Sequence, residues 1–155
     1  MSEAEDNQPF FHVEKIYLKD LSFESPYTPE SFFINEEPKV DFNLETTNVR
    51  RGQDIYESSI QITVKVHTDE KVWFLVEVTY AGIFRMRNIP EDRMAMLLGI
   101  ECPTILFPYV RQIVSQTITE GGFKPLLLDP INFAAVYQQN QMRRQQQGEA
   151  NPLVN

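Results

Sequence analysis

The residues of this chain that could do covalent chemistry are few. Cys102 is the single cysteine, and it stands directly before Pro103 at the start of an apolar run. A thiol at a helix N-terminus can be activated as a nucleophile, but such a cysteine needs a base beside it. The two histidines, His12 and His67, fall in a strand and in a hairpin turn, and neither is placed by sequence to serve it. The acidic pairs Asp20/Glu24 and Glu36/Glu37 have the look of paired catalytic carboxylates, and they read as solvated charge. There is no HExxH, no paired cysteine, no glycine-rich phosphate loop and no GxSxG. One cysteine allows neither an internal disulfide nor a cysteine metal cluster, which fits a reducing compartment. The residues give no enzyme and no cofactor, so the interest shifts to surfaces and to the elements that carry them.

At 155 residues the chain is one domain by size. A chain of this length buries about 70% of its unfolded surface, enough for a true core. The content of 42% hydrophobic and 23% charged residues is that of a soluble globular protein. The 14 basic residues against 22 acidic ones give a net charge of −8. That argues against nucleic acid and anionic membrane surfaces, both of which prefer basic patches, and it fits a generic soluble surface first and a basic partner second. Met1–Gln8 is acidic and polar, with nothing of a secretory signal. No apolar run reaches the eighteen or so residues of a bilayer span, so the expected compartment is the cytoplasm.

Met1–Pro9 reads as a disordered arm. Phe10–Phe23 is rich in aromatic and β-branched residues and reads as a strand. Its alternation breaks at Ile16, as a β-bulge near Lys15 would make it. Ser25–Pro38, with three prolines and clustered aromatics, is a long surface connection whose length suggests a task. Lys39–Leu44 alternates cleanly, and Asn48–Gln53 reads as a turn. Ile55–Val66 is the clearest strand, with Ile60, Ile62, Val64 and Val66 on one face. Val72–Phe84 follows, placing Val72, Phe74, Val76, Val78 and Tyr80 on one face. Trp73, Leu75, Glu77 and Thr79 take the other, a mixture of apolar groups and a carboxylate that suggests either a contact surface or coverage by a loop.

Helices finish the chain. Asn88 and Glu91 resemble a capping box, and Pro90 suits a first helical turn. Met94, Leu97 and Leu98 form a sulfur-bearing apolar face, which fills a core more commonly than it serves adaptable contacts. Gly99 loosens that helix before a restart at Cys102-Pro103. Ile105, Leu106, Tyr109, Val110, Ile113 and Val114 recur at helical spacing, and Pro108 removes the bond to the Thr104 carbonyl and should bend the first turn. Gly121-Gly122 supply a C-cap. Phe123–Leu128 is an apolar loop that must lie on another surface. Asp129 and Pro130 suit the start of a last helix, with Phe133, Val136 and Tyr137 inward. Consecutive strands followed by helices predict an α+β fold, a four-stranded antiparallel sheet with helices on one face. Its open edges and remaining apolar surface call for an oligomer.

Several blocks of this sequence, taken together, resemble SecB, the bacterial protein-export chaperone family. They are Ile16-Tyr17, Lys19-Asp20 and Ser22-Phe23-Glu24 with Pro26; Phe74-Leu75, Glu77-Val78 and Gly82-Ile83-Phe84; Cys102-Pro103, Ile105-Leu106-Phe107-Pro108-Tyr109 and Arg111; and Pro130, Asn132 and Phe133. The resemblance runs from about Phe11 to Tyr137. It implies a chaperone domain over residues 10–140, a flexible tail over 141–155 and assembly as a dimer of dimers. It implies an ATP-independent holdase for unfolded precursor proteins that delivers them to the SecA motor. The docking face for SecA would be Asp20, Glu24, Leu75 and Glu77. The client groove would draw on Tyr27, Phe32, Phe33, Ile83, Phe84, Phe107, Tyr109 and Leu126 to Leu128. The surface between copies would use Val76, Val78, Tyr80, Met94, Leu97 and Leu98. Asn35-Glu36 departs from the family, where an aromatic is often found. The glutamine-rich tail with Arg143 and Arg144 departs from the acidic tail of some members. A chaperone dedicated to a toxin–antitoxin pair is the alternative within the family. Outside it, a Cys102 enzyme and a purely structural oligomer are the other readings.

Overall fold

A computed structural model describes residues 7–150. Four long strands come first: β1 (Phe10–Glu24), β2 (Lys39–Gly52), β3 (Ile55–His67) and β4 (Val72–Arg87). They form one antiparallel sheet in the order β1-β4-β3-β2. The helical part follows as α1 (Glu91–Met96), a π-turn (Leu97–Glu101), α2 (Cys102–Glu120) and α3 (Phe133–Ala150). The sheet with helices on one face is the expected architecture.

Period-two alternation sorts the central strands. Ile60, Ile62, Val64 and Val66 of β3 and Phe74, Val76, Val78, Phe84 and Met86 of β4 are buried on the inner face. Leu106, Val110, Val114 and Ile118 form the matching stripe of α2. Each such side chain contributes about 1.5–3 kcal/mol on full burial. Val76 and Val78 are wholly enclosed here. They hold the domain together and have no surface left for a second copy, unlike the expectation that placed them between subunits.

α2 packs chiefly on β3 and β4, so the inner face of each edge strand stays open. Leu18 and Leu21 of β1 and Val40 and Phe42 of β2 are 40–48% exposed. Tyr109 of α2 stacks on Tyr80, with centroids 5.7 Å apart, and is itself exposed.

Several local expectations change. β2 continues through Asn48–Gly52, because its pairing with β3 runs on to a tight turn at Gln53-Asp54, where Asp54 takes a positive φ of 62°. The Asn88 capping box does not form. Asn88 lies in the left-handed region and donates to the Gln8 carbonyl, and Pro90 is the N-cap, without a side-chain cap bond. The chain stays helical from Glu91 to Glu120, and the loosening expected at Gly99 takes the form of the π-turn, after which α2 starts at Cys102 as expected. By length and composition the whole helical stretch is apolar enough to cross a membrane, which reading it as two pieces concealed. Its buried stripe instead belongs to the core of the sheet domain. Gly99 serves close approach: a Cβ there would lie 2.5 Å from the Tyr137 ring of α3. The last helix is capped by Asn132, whose Oδ1 accepts from the Ala135 N–H at 3.1 Å, rather than by Asp129. It extends through Ala150, so much of the expected flexible tail is helical. Residues 1–6 and 151–155 lie outside the described part.

Candidate functional site

Two regions of the surface could work, and each is built by a local departure from regular structure. The first is the outer face of β1 and β4. β1 carries an extra residue at Glu14 and another at Lys19, where the pairing with β4 steps from Val13 to Lys15 and from Leu18 to Asp20. After the second bulge Asp20, Ser22 and Glu24 stand opposite Thr79, Glu77 and Leu75. Cross-strand partners share a face, so Asp20, Glu24, Leu75 and Glu77 come together on the side away from the helices. Asp20 and Glu24 are exposed, and Leu75 and Glu77 are half-buried. No ion pair among the described residues engages any of the three carboxylates.

Next to them lies a saturated cluster around Glu57 of β3. One carboxylate oxygen accepts from the Tyr17 hydroxyl and from Lys19 Nζ at 3.1 Å. The other accepts from Arg51 through Nε at 3.2 Å and Nη2 at 2.7 Å. The Tyr17 hydrogen bond, followed by that of Arg51, holds the Glu57 carboxyl down at about 2 against the opposing effect of burial. Burial, and then the Glu57 carboxylate, push the Tyr17 phenol up to about 12. Tyr17 stands opposite Ala81, which is fully buried although it faces outward.

The second region is a groove of about 500 Å³ at one end of the sheet. Phe32 and Ile34, in and just after a 3₁₀ turn (Glu30–Phe33), form one wall. Val40 and Trp73 from the strands and Phe123 and Leu126 from the segment after α2 complete it. Its floor is a run of rings: Phe23 to Phe74 at 6.0 Å, Phe74 to Phe123 at 4.7 Å, and Phe123 to Phe32 at 5.1 Å. The end of α2 makes room for them. Gly122, at φ 87°, and Phe123 donate back to the Thr119 and Ile118 carbonyls, closing a Schellman motif. A Cβ on Gly121 would meet the Phe23 ring at 2.3 Å, and one on Gly122 would meet Phe32 at 3.1 Å. Trp73 reaches the groove because it is the extra residue of a bulge, with Val66 opposite Phe74 but His67 opposite Val72. Strict alternation had placed it on the far face with Leu75.

The expected groove residues divide. Phe32, exposed Phe33 and Leu126 lie at this end, and the Tyr27 ring nearby is covered by Lys71 Nζ at 4.9 Å. Leu128 packs against the core and Leu127 is 77% exposed. Phe84 and Phe107 are core residues, at 0% and 5% exposure. They belong to the inner face and to the buried stripe of α2, so neither lines a groove. Ile83 faces outward beside the Glu57 cluster. Tyr109 belongs with Tyr80, away from Phe32. Tyr80, Met94, Leu97 and Leu98, expected between copies, are half-buried and pack against the core from its rim. The groove residues that alternation and composition missed are Trp73, Phe123, Ile34 and Val40. Gly121-Gly122 before Phe123 was the available signal for one of them.

No alternative chemistry emerges. Cys102 is fully buried, and burial followed by the neighbouring Glu101 pushes its thiol up to about 12. That is the opposite of an activated nucleophile. Among the described residues no group of three His, Cys, Asp or Glu side chains could hold a metal ion.

Comparison with known proteins gives a consistent picture. The family model described as preprotein translocase subunit SecB matches residues 4–145. The protein-export protein SecB of Magnetococcus marinus is 52% identical over 148 residues, covering 94% of both chains. That of Thiobacillus denitrificans is 47% identical over 150 residues, covering 97% of both. Among solved structures, a SecB-like chaperone of Mycobacterium tuberculosis, in complex with a peptide of the HigA1 antitoxin, superposes with a TM-score of 0.64. The match covers 78% of this chain and 90% of that one at 13% identity, a likeness of fold.

Proposed function

The chain belongs to the SecB family and is a chaperone for protein export, and from that premise we propose that its groove holds unfolded precursors while its acidic face docks the SecA motor. The observation that carries this reading is the pairing of an aromatic groove with a separate, unneutralised acidic face on one small sheet. A client segment buries apolar side chains against Phe32, Trp73, Phe123 and Leu126 at about 25 cal/mol per Å². Burial of this kind asks for no particular sequence, which suits many precursors. Holding needs no nucleotide, because nothing in it is driven uphill. On the other face, Asp20, Glu24 and Glu77 attract a basic segment of SecA, and Leu75 supplies an apolar contact between them. The work is placed in the cytoplasm, before precursors reach the translocase.

The working unit is a homo-oligomer, a dimer of dimers. Leu18, Leu21, Val40, Phe42 and Tyr109 are large apolar groups left open at the inner edges of the sheet and on α2, and a second copy is the natural cover for them. Several protomers around one client would raise avidity well above that of a single groove. Dedication to a toxin–antitoxin pair is not favoured: the relatives near 50% identity are export proteins, and the antitoxin-bound neighbour shares the fold at 13% identity.

The test is suppression of aggregation of an unfolded, export-destined precursor without ATP, with mass measured by light scattering and with SecA added in a second arm. The expected result is a tetramer that holds the precursor at stoichiometric ratio, and an Asp20→Ala/Glu77→Ala variant that still holds it but loses SecA. Absence of holding by the intact protein would overturn the reading.

A further inference from the structure

Charged side chains stand where the alternation of the edge strands is broken. Lys19 is the extra residue of a bulge in β1, and Arg51 is the extra residue of a bulge in β2, where pairing with β3 steps from Arg50 to Gly52. These strands lie on opposite sides of the sheet. Both side chains nevertheless converge on Glu57 of the central strand β3, whose side chain is 9% exposed.

The bulge at Lys19 decides where the next residues point. Lys15 and Tyr17 face outward, opposite Ile83 and Ala81. Under strict alternation Leu21 and Phe23 would follow them, and Asp20, Ser22 and Glu24 would turn toward the core. The one extra residue reverses that phase. Leu21 and Phe23 go in, opposite Val78 and Val76, and the acidic residues go out. The side chains that flank this step, Tyr17 and Lys19, are the two that share one oxygen of Glu57.

We propose that Glu57 is a positioning residue for the acidic docking face: by holding Tyr17 and Lys19 it keeps β1 in the bulged register that presents Asp20 and Glu24 beside Leu75 and Glu77. This rests on the reading of that face as the SecA site. Glu57 also draws the Lys19 ammonium toward β3, away from carboxylates meant for a basic partner.

The test sets charge against position. Lys19→Met, in the full oligomer, removes a cation next to an acidic face. By charge alone it tightens binding of SecA. By position it weakens binding, by roughly threefold to tenfold, with client holding unchanged. Glu57→Gln is expected to weaken SecA binding similarly, and to add no further loss in an Asp20→Asn/Glu24→Gln background, because it acts through those residues. Thermal denaturation of each variant separates this from a general loss of fold. Tighter or unchanged binding in Lys19→Met, or independent losses in the combined variant, overturns the proposal while leaving the docking face intact. Full SecA affinity in Asp20→Asn/Glu24→Gln alone overturns both readings.

Discussion

The acidic face and the aromatic groove both draw on β4, the first with β1 and the second with β2, the 3₁₀ turn and the segment after α2, yet they are positioned by different physics. On the outer face each group is set by strand register. Asp20 and Glu24 point outward because a bulge shifts the phase by one, and a hydrogen-bonded carboxylate beside them is saturated on both oxygens. The groove at the other side depends on ring packing and on a 3₁₀ turn, with Phe33 83% exposed and Phe32 47% exposed. Register gives directional, fixed charge, which suits one partner. Rings on a loop give non-directional contact that can repack, which suits many. A sheet can therefore carry a selective site and an unselective one without a second domain.

The sharpest way to break that contrast is to remove what the regions share. Phe74 is 3% exposed, lies in the ring floor of the groove, and precedes Leu75 of the acidic face. Phe74→Ala should cost about 3–5 kcal/mol of stability by urea denaturation, and both activities should fall together. Trp73→Ala acts on one region. It should weaken client binding by about 1–3 kcal/mol, measured by fluorescence anisotropy of a labelled precursor segment, and leave SecA affinity unchanged. Equal loss of both would dissolve the distinction.

The charge variants should show the reverse selectivity with a smaller effect. Asp20→Asn or Glu77→Gln alone should weaken SecA binding by on the order of 1 kcal/mol. The difference from the parent should shrink as salt is raised and the Debye length falls below about 10 Å. Client holding, which rests on apolar burial, should persist in the same salt.

The smallest effects come from pH. Glu57 is held at about 2, so its contribution to stability is complete above its ordinary value of 4.5 and is lost as pH falls from there toward 2. Tyr17 is raised from 10 to about 12, so its contribution is complete below 10 and is lost as pH rises toward 12. Between pH 5 and 9 neither group should alter stability. Subtracting the Tyr17→Phe absorbance titration at 295 nm from that of the parent should leave one phenol ionising near 12. A step near 10 would mean that the clasp around Glu57 is open in solution.

Regular alternation and helical spacing were legible where one face is simply buried. Ile60, Ile62, Val64 and Val66 read correctly, as did the core stripe of α2 from Leu106 to Val114, and so did the α+β class. The bulge expected near Lys15 appears at Glu14. The blocks shared with the family marked Asp20, Glu24, Leu75 and Glu77 as a set, although periodicity alone would not have joined them across two strands. What misled was locally strong and globally overruled. Asn88 and Asp129 have good capping chemistry, but Pro90 and Asn132 occupy the positions at which the chain turns into its helices. Gly99 does loosen the helix, as part of the π-turn, but its second use as a seat for Tyr137 left no local sign. Phe84 and Phe107 looked like groove aromatics because composition does not say which face is covered.

The sequence by itself determined the class of the domain, the inner faces of the central strands, the absence of recognisable catalytic motifs and the sign of the surface charge. These follow from short-range periodicity and from counting. Only the tertiary structure decided the placement of Lys19, Arg51 and Trp73, and with it which residues meet in each region. A bulge is one inserted residue whose cost is offset by contacts far away in the chain, here Glu57 some forty residues from Tyr17. Local pattern cannot register such a partner, because the energy that selects it appears only once the strands lie side by side.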